Sequence, residues 1–138
     1  MLLGIDTSNY TTSAAVIDYD SGTVIERRKL LPVQPGERGL RQSEAVFHHN
    51  AQLPALLEAV LEGRKISSVA VSVKPRPVEG SYMPCFTVGE GYARAIAAAA
   101  DIPIFRYSHQ EGHIAAVLFA AGRMDLLANE FYAIHLSG

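Results

Sequence analysis

The chain has 138 residues and a formal net charge of −2, with 49% hydrophobic and 19% charged residues. This composition is typical of one folded domain, and it excludes a disordered chain and a strongly basic protein, leaving only a local basic patch at Arg27-Arg28-Lys29. The single cysteine, Cys85, excludes an internal disulfide and favours a reducing cytoplasm. We find no signal peptide, and the longest apolar run, 95–100, is too short to cross a membrane.

The first half of the chain predicts three strands and one helix. Short apolar runs at 2–6, 13–18 and 24–31 are separated by turn residues, which indicates an antiparallel meander. A loop follows at 32–39. Helical spacing then predicts a helix over 43–61, with Ser43 as its N-cap and with a kink or restart at Pro54. The inward positions of this predicted helix are Val46, Asn50, Leu53, Leu57 and Val60.

The second half alternates strands and helices. Strands are predicted at 69–73, 102–107 and 131–136, and helices at 88–100 and 113–121. The resulting order, β-β-β-α-β-α-β-α-β, predicts an α/β fold with a mixed sheet and helices on both faces.

The most informative segment is His109-Gln110-Glu111-Gly112-His113, at a predicted strand-to-helix junction. Histidines four residues apart lie on one helical face, so both imidazoles can reach one divalent cation. The alternative is one histidine that caps the helix and another that is exposed. Glu111 lies between them and is either a general base or a first-turn acid favoured by the helix dipole.

Three further segments have two interpretations each. The turn that starts at Asp6-Thr7-Ser8 could cradle phosphate, or it could be a polar hairpin whose hydroxyls satisfy its own backbone. His48 and His49 diverge by about 100° on a helix, so a shared metal is disfavoured and two solvent-facing side chains are expected. Cys85 has no evident acid–base partner, and we expect an unreactive thiol.

Taken in order, these segments resemble the glycoprotease (O-sialoglycoprotein endopeptidase, Gcp/TsaD) family, whose members synthesise threonylcarbamoyladenosine in tRNA. The likeness covers nearly the whole chain. It rests on the opening strand with Asp6-Thr7-Ser8, on the helix and strand from Val88 to Pro103, on the motif His109-Gln110-Glu111-Gly112-His113, and on the final run Phe131 to Gly138.

The resemblance implies a ribonuclease H-like domain of the actin/Hsp70/sugar-kinase superfamily. Residues 1–138 would be the N-terminal domain, without its C-terminal duplicate, and this part alone is expected to be inactive. His109 and His113 would bind iron or zinc, and Glu111 and His48 would be candidates to hold these ligands in position. ATP or an adenylate would contact Asp6, Thr7, Ser8, Ser137 and Gly138. The implied partners are tRNA and a paralogous subunit, with a homodimer as a further option and no membrane.

The sequence also departs from the family pattern. Lys74-Pro75-Arg76-Pro77 replaces a Gly-Pro-Gly loop, and Val46-Phe47 replaces a Ser-Arg pair. These changes indicate a divergent paralogue. Three functions therefore stay open: a metal-dependent tRNA N6-adenosine threonylcarbamoyltransferase, a non-catalytic scaffold of that system, and a metalloendopeptidase as the older family name has it.

Overall fold

A computed structural model describes residues 1–33 and 39–134. Within these ranges a five-stranded sheet carries three α-helices and one short 3-10 helix. The strands are β1 (Leu2–Asp6), β2 (Thr11–Ile17), β3 (Val24–Leu30), β4 (Ser68–Lys74) and β5 (Ile104–Ser108). The helices are α1 (Gln42–Leu61), α2 (Phe86–Ala100) and α3 (His109–Ala120), followed by the 3-10 helix (Met124–Ala128).

The sheet is mixed, with strand order β3-β2-β1-β4-β5. β1 pairs antiparallel with β2 and parallel with β4, so it is the central strand. β3 forms one edge by antiparallel pairing with β2, and β5 forms the other edge by parallel pairing with β4. The carboxyl ends of β1, β4 and β5 therefore lie at one end of the sheet, where ligands of α/β proteins usually bind.

One face of the sheet is buried beneath α1 and α2, which also contact each other. Alternate residues of the strands point into this core, including Leu3 and Ile5 of β1, Ala14 and Val16 of β2, and Val69 and Val71 of β4. Among the described residues, twelve buried apolar side chains form this core and four more form a smaller cluster, which explains why a chain of this length folds around one core.

The sequence correctly placed Leu53, Leu57 and Val60 on the buried face of α1, but it chose Val46 and Asn50 at the two positions where Ala45 and His49 are buried. The buried residues are Ala45, His49, Leu53, Leu57 and Val60, and Asn50 is exposed. The helix begins after Arg41 rather than after Ser43, and the Glu44 carboxylate accepts a hydrogen bond from the Arg41 backbone N–H at 3.2 Å. It also runs through Pro54 as one element rather than restarting there. The inward position of His49 was missed because a polar residue was expected to face solvent.

α3 is much less buried than α1 and α2. It contacts β4, β5 and the 3-10 helix, and Leu118 is its one fully buried residue. The predicted last strand is absent over 131–134, which is irregular and exposed, because no neighbouring strand pairs with it there. Positions 135–138, which include Ser137 and Gly138, lie outside the described residues. No helix among those described has the length and apolarity needed to cross a membrane.

Candidate functional site

Asp6 and the two motif histidines meet at the carboxyl end of the central strand. β1 ends at Asp6, and α3 begins directly after β5 with His109 as its first residue. The Asp6 Oδ2 atom lies 2.8 Å from His109 Nδ1. One helical turn later, His113 Nε2 lies 2.8 Å from His109 Nε2, with the two rings edge to face at 4.3 Å. The fold thus brings Asp6 to a histidine pair that begins 103 residues later in the sequence.

The charge on Asp6 fixes the proton positions in this cluster. Burial would raise the pKa of Asp6, but hydrogen bonds from His109 and Ser8 outweigh it and lower the pKa from 3.8 to about 2. An ionised carboxylate only accepts hydrogen bonds, so His109 Nδ1 carries a hydrogen and donates it. In neutral His109 the Nε2 lone pair then points at His113, whose Nε2–H donates to it.

This arrangement has the form of a carboxylate–histidine pair that orients an imidazole toward a metal ion. Two neutral imidazoles with facing Nε2 atoms suit a divalent cation once the His113 ring proton moves from Nε2 to Nδ1, because each Nε2 then presents a lone pair. Tetrahedral coordination at ordinary Zn–N distances needs the nitrogens about 3.3 Å apart, so the rings would separate by about half an ångström on metal binding. Within residues 1–33 and 39–134, no group of three His, Cys, Asp or Glu side chains could hold a metal ion. The described residues therefore fit a metal as two ligands and an orienting carboxylate, not as a complete site.

Glu111 caps α3. Its carboxylate accepts a hydrogen bond from the Ser108 backbone N–H at 2.7 Å, and its own N–H donates to Ser108 Oγ at 3.2 Å. These hydrogen bonds to Ser108 also lower the pKa of Glu111. A reciprocal pair of this kind is a capping box, which satisfies the free N–H groups of the first turn. Of the two roles that the sequence left open for Glu111, the structure shows the first-turn acid. The capping box also positions His109 at the start of the helix.

The turn between β1 and β2 uses its polar groups internally. Ser8 N–H donates to Asp6 Oδ1 at 2.7 Å. The buried Thr7 hydroxyl donates to the Cys85 carbonyl at 2.9 Å and accepts from Gly89 N–H at 3.1 Å. A Cβ atom at Gly89 would lie 2.9 Å from Thr7 Oγ1, so glycine is needed for α2 to approach the turn. Thr7 is therefore a support for the turn, and Asn9, in the left-handed region at φ 45°, presents the exposed tip.

His49 is a buried polar residue that the sequence led us to place at the surface. Its side chain is fully buried, whereas the neighbouring His48 is half-buried and touches Phe47 edge to face. The signal that would have found it is the spacing of four residues from Ala45 to His49 to Leu53. Cys85 is also fully buried, and burial raises the pKa of its thiol, as an unreactive cysteine requires.

A chain of hydrogen bonds determines the protonation of His49. Gln52 Nε2 donates to the Leu30 carbonyl at 3.3 Å, which turns Gln52 Oε1 toward Thr12. The Thr12 hydroxyl donates to that oxygen at 3.1 Å, so it must accept from His49 Nδ1–H at 2.8 Å. His49 Nε2 makes no hydrogen bond within the described part of the chain, although the backbone of Asn9 lies close enough to raise the pKa of the ring. Burial lowers the pKa of His49, which keeps it neutral.

Comparison with known proteins agrees with the resemblance found in the sequence. The chain is 31% identical over 124 residues to a probable bifunctional tRNA threonylcarbamoyladenosine biosynthesis protein of Methanospirillum hungatei, covering 90% of this chain and 22% of that protein. It is 25% identical to a tRNA N6-adenosine threonylcarbamoyltransferase of Pyrobaculum calidifontis, covering 92% of this chain and 37% of that protein. It thus spans about a fifth to two fifths of these relatives. No protein-family model matches it.

The fold also has a solved counterpart. The structure of YeaZ from Pseudomonas aeruginosa matches with a TM-score of 0.56 and 17% sequence identity, over 78% of this chain and 43% of that chain. At this identity the likeness shows the fold alone. It confirms the mixed sheet that the sequence predicted and the ribonuclease H-like fold that the family resemblance implied.

Proposed function

Starting from homology to curated tRNA threonylcarbamoyladenosine proteins, we propose that this chain is the histidine-bearing domain of a metal-dependent tRNA N6-adenosine threonylcarbamoyltransferase. The observation that supports it most is the Asp6–His109–His113 cluster. The two histidine Nε2 atoms face each other, and the half-buried Asp6 carboxylate holds the His109 ring in place. The relatives' names suggest the reaction, and the cluster supports the proposal that this chain contributes metal ligands to it.

In this proposal His109 and His113 hold iron or zinc through Nε2, and Asp6 keeps His109 in the tautomer that leaves Nε2 free to bind. When bound, the cation would supply Lewis-acid polarisation of the threonylcarbamoyl carbonyl. The adenosine N6 attacks that carbonyl and loses a proton, and the bond to the adenylate phosphate breaks, so that AMP leaves. The further ligand comes from outside the described residues, as does the contact of Ser137 and Gly138 with an adenylate. Asp6 and the backbone of the Ser8–Asn9 turn face that nucleotide, while Thr7 supports the turn from behind.

Transfer of the threonylcarbamoyl group tests the proposal. The product of the complete reading frame is incubated with tRNA and threonylcarbamoyl-adenylate, and modified adenosine is measured by mass spectrometry of the digested nucleosides. We expect conversion by the unmodified protein and by His48→Ala, and a loss of about a hundredfold or more in the His109→Ala/His113→Ala double variant. His48→Ala is the matched control because it removes an imidazole outside the cluster.

Two other outcomes would replace this proposal. Full cellular tRNA modification in the double variant would mean that the chain is a non-catalytic scaffold, since a ligand pair would then be dispensable. Release of peptides from a glycosylated protein substrate, lost in the same variant, would restore the endopeptidase function. An inactive protein that still binds metal would remove the transferase proposal and leave the metal site standing.

A further inference from the structure

β3 forms the edge of the sheet and carries three consecutive basic residues. Arg27, Arg28 and Lys29 are all exposed, and none of them makes an ion pair with an acidic residue within the described ranges. Arg27 donates only to the neighbouring Glu26 carbonyl, at 2.8 Å. We name this segment the β3 basic strip.

The strand register connects the strip to the candidate site. Arg28 pairs with Ser13 of β2, and Ser13 pairs with Asp6 of β1. Cross-strand partners point to the same face of a sheet. Because Thr12 and Ala14 point beneath α1, Arg28 and Asp6 share the opposite face. At the usual strand spacing, their Cα atoms are about 10 Å apart.

The strip also borders a depression. An open groove of about 670 Å³ is lined by Thr11, Arg28, Lys29 and Leu30. Leu30 is 73% exposed and adds apolar surface beside the two cations. Cations beside a shallow apolar surface can bind a nucleic acid, because its phosphates contact the cations while its bases contact the apolar surface.

We propose that the β3 basic strip binds the phosphate backbone of tRNA and leads it across the sheet edge toward Asp6 and the histidine pair. This inference rests on the proposed function for the identity of the RNA. Lys29 and Arg27 lie on the α1 side of the edge and Arg28 on the other, so a backbone that runs along the edge meets all three. Phosphate contacts of this kind fix the register of a nucleic acid without reading its sequence.

Salt-dependent binding tests the strip. A fluorescent tRNA transcript is titrated with the 138-residue chain at several salt concentrations. The Arg27→Ala/Arg28→Ala/Lys29→Ala variant is compared with Lys65→Ala/Arg94→Ala/Arg123→Ala, which removes the same charge from exposed sites on other elements. We expect the strip variant to bind about tenfold more weakly at low salt, and the slope of log Kd against log salt to fall by about 2. The control variant should keep the unmodified slope.

Equal losses in the two variants would overturn the proposal, because net charge alone would then explain the binding. An unchanged slope in the strip variant would also overturn it, and so would binding to phosphatidylserine vesicles that is as tight and as dependent on the strip. Circular dichroism and thermal melting confirm that both variants fold. A zinc titration separates this result from the proposed function: the strip variant should bind zinc like the unmodified chain, so a failed metal site and a failed strip give different results.

Discussion

His49 and the pair His109 and His113 show how burial divides one residue type between two roles. His49 is buried on the face of α1 that packs against the sheet, and its Nδ1–H belongs to a chain of hydrogen bonds that ends at Leu30 of β3. His109 and His113 lie at the start of α3, partly open to solvent, with an ionised carboxylate behind them. The buried ring is held by neutral partners and serves stability. In the exposed pair, the Asp6 carboxylate holds His109 through Nδ1, and the Nε2 atoms of His109 and His113 face each other near the surface.

The largest expected effect is the loss of stability when the buried ring is removed. His49→Ala leaves a cavity and deprives Thr12 of its donor, which should lower the free energy of unfolding by about 3 kcal/mol. His48→Ala should change it by less than about 0.5 kcal/mol, since His48 lies at the surface of the same helix. Urea unfolding of both variants measures the difference. Similar small changes in both would mean that the two histidines are not in different environments.

The next effect is a pH dependence that originates at Asp6. A carboxyl whose pKa falls from 3.8 unfolded to about 2 folded stabilises the fold above pH 4, and that stability is lost as pH falls toward 2. The loss should be about 2 kcal/mol and should be absent from Asp6→Asn. Urea unfolding between pH 5 and pH 2 measures it. Parallel curves for the unmodified chain and Asp6→Asn would show that His109 does not hold Asp6 ionised.

A smaller effect separates the capping role of Glu111 from catalysis. Ser108→Ala and Glu111→Ala should each lower the free energy of unfolding by about 1 kcal/mol, because each removes half of the capping box. Chemical unfolding measures the loss, and the transferase assay on the complete protein measures activity. If Glu111→Ala were fully stable but inactive, Glu111 would be a general base rather than a cap.

Much of the fold could be predicted from the sequence because short apolar runs and turn residues report strands directly. β1 was predicted with its observed ends, and the predicted order of elements along the chain matches the structure through α3. The strand predicted at 131–136 was wrong over 131–134, since an apolar run forms a strand only if a neighbouring strand pairs with it. The burial of His49 on α1 was missed because a histidine is expected at the surface unless hydrogen-bond partners are known to lie beside it. Those partners, Thr12 and Gln52, are identified only by the fold.

The candidate site was predicted in part. Spacing alone indicated that His109 and His113 share a face, and the structure brings their Nε2 atoms to 2.8 Å. The link to Asp6 depends on which strand ends lie side by side, a long-range property that local spacing does not contain. The nucleotide contacts at Ser137 and Gly138 stay a prediction, and their positions lie outside the described residues.

Zinc titration of the chain, followed through the imidazole nitrogens in long-range proton–nitrogen NMR spectra, tests the central claim most directly. The account predicts that the Nε2 resonances of His109 and His113 move together on zinc addition, with His109 Nδ1 still protonated, while His48 and His49 stay unchanged. Asp6→Asn should weaken zinc binding about ten- to a hundredfold. Zinc shifts at His49, or none at His109 and His113, would contradict the assignment of the exposed pair as metal ligands.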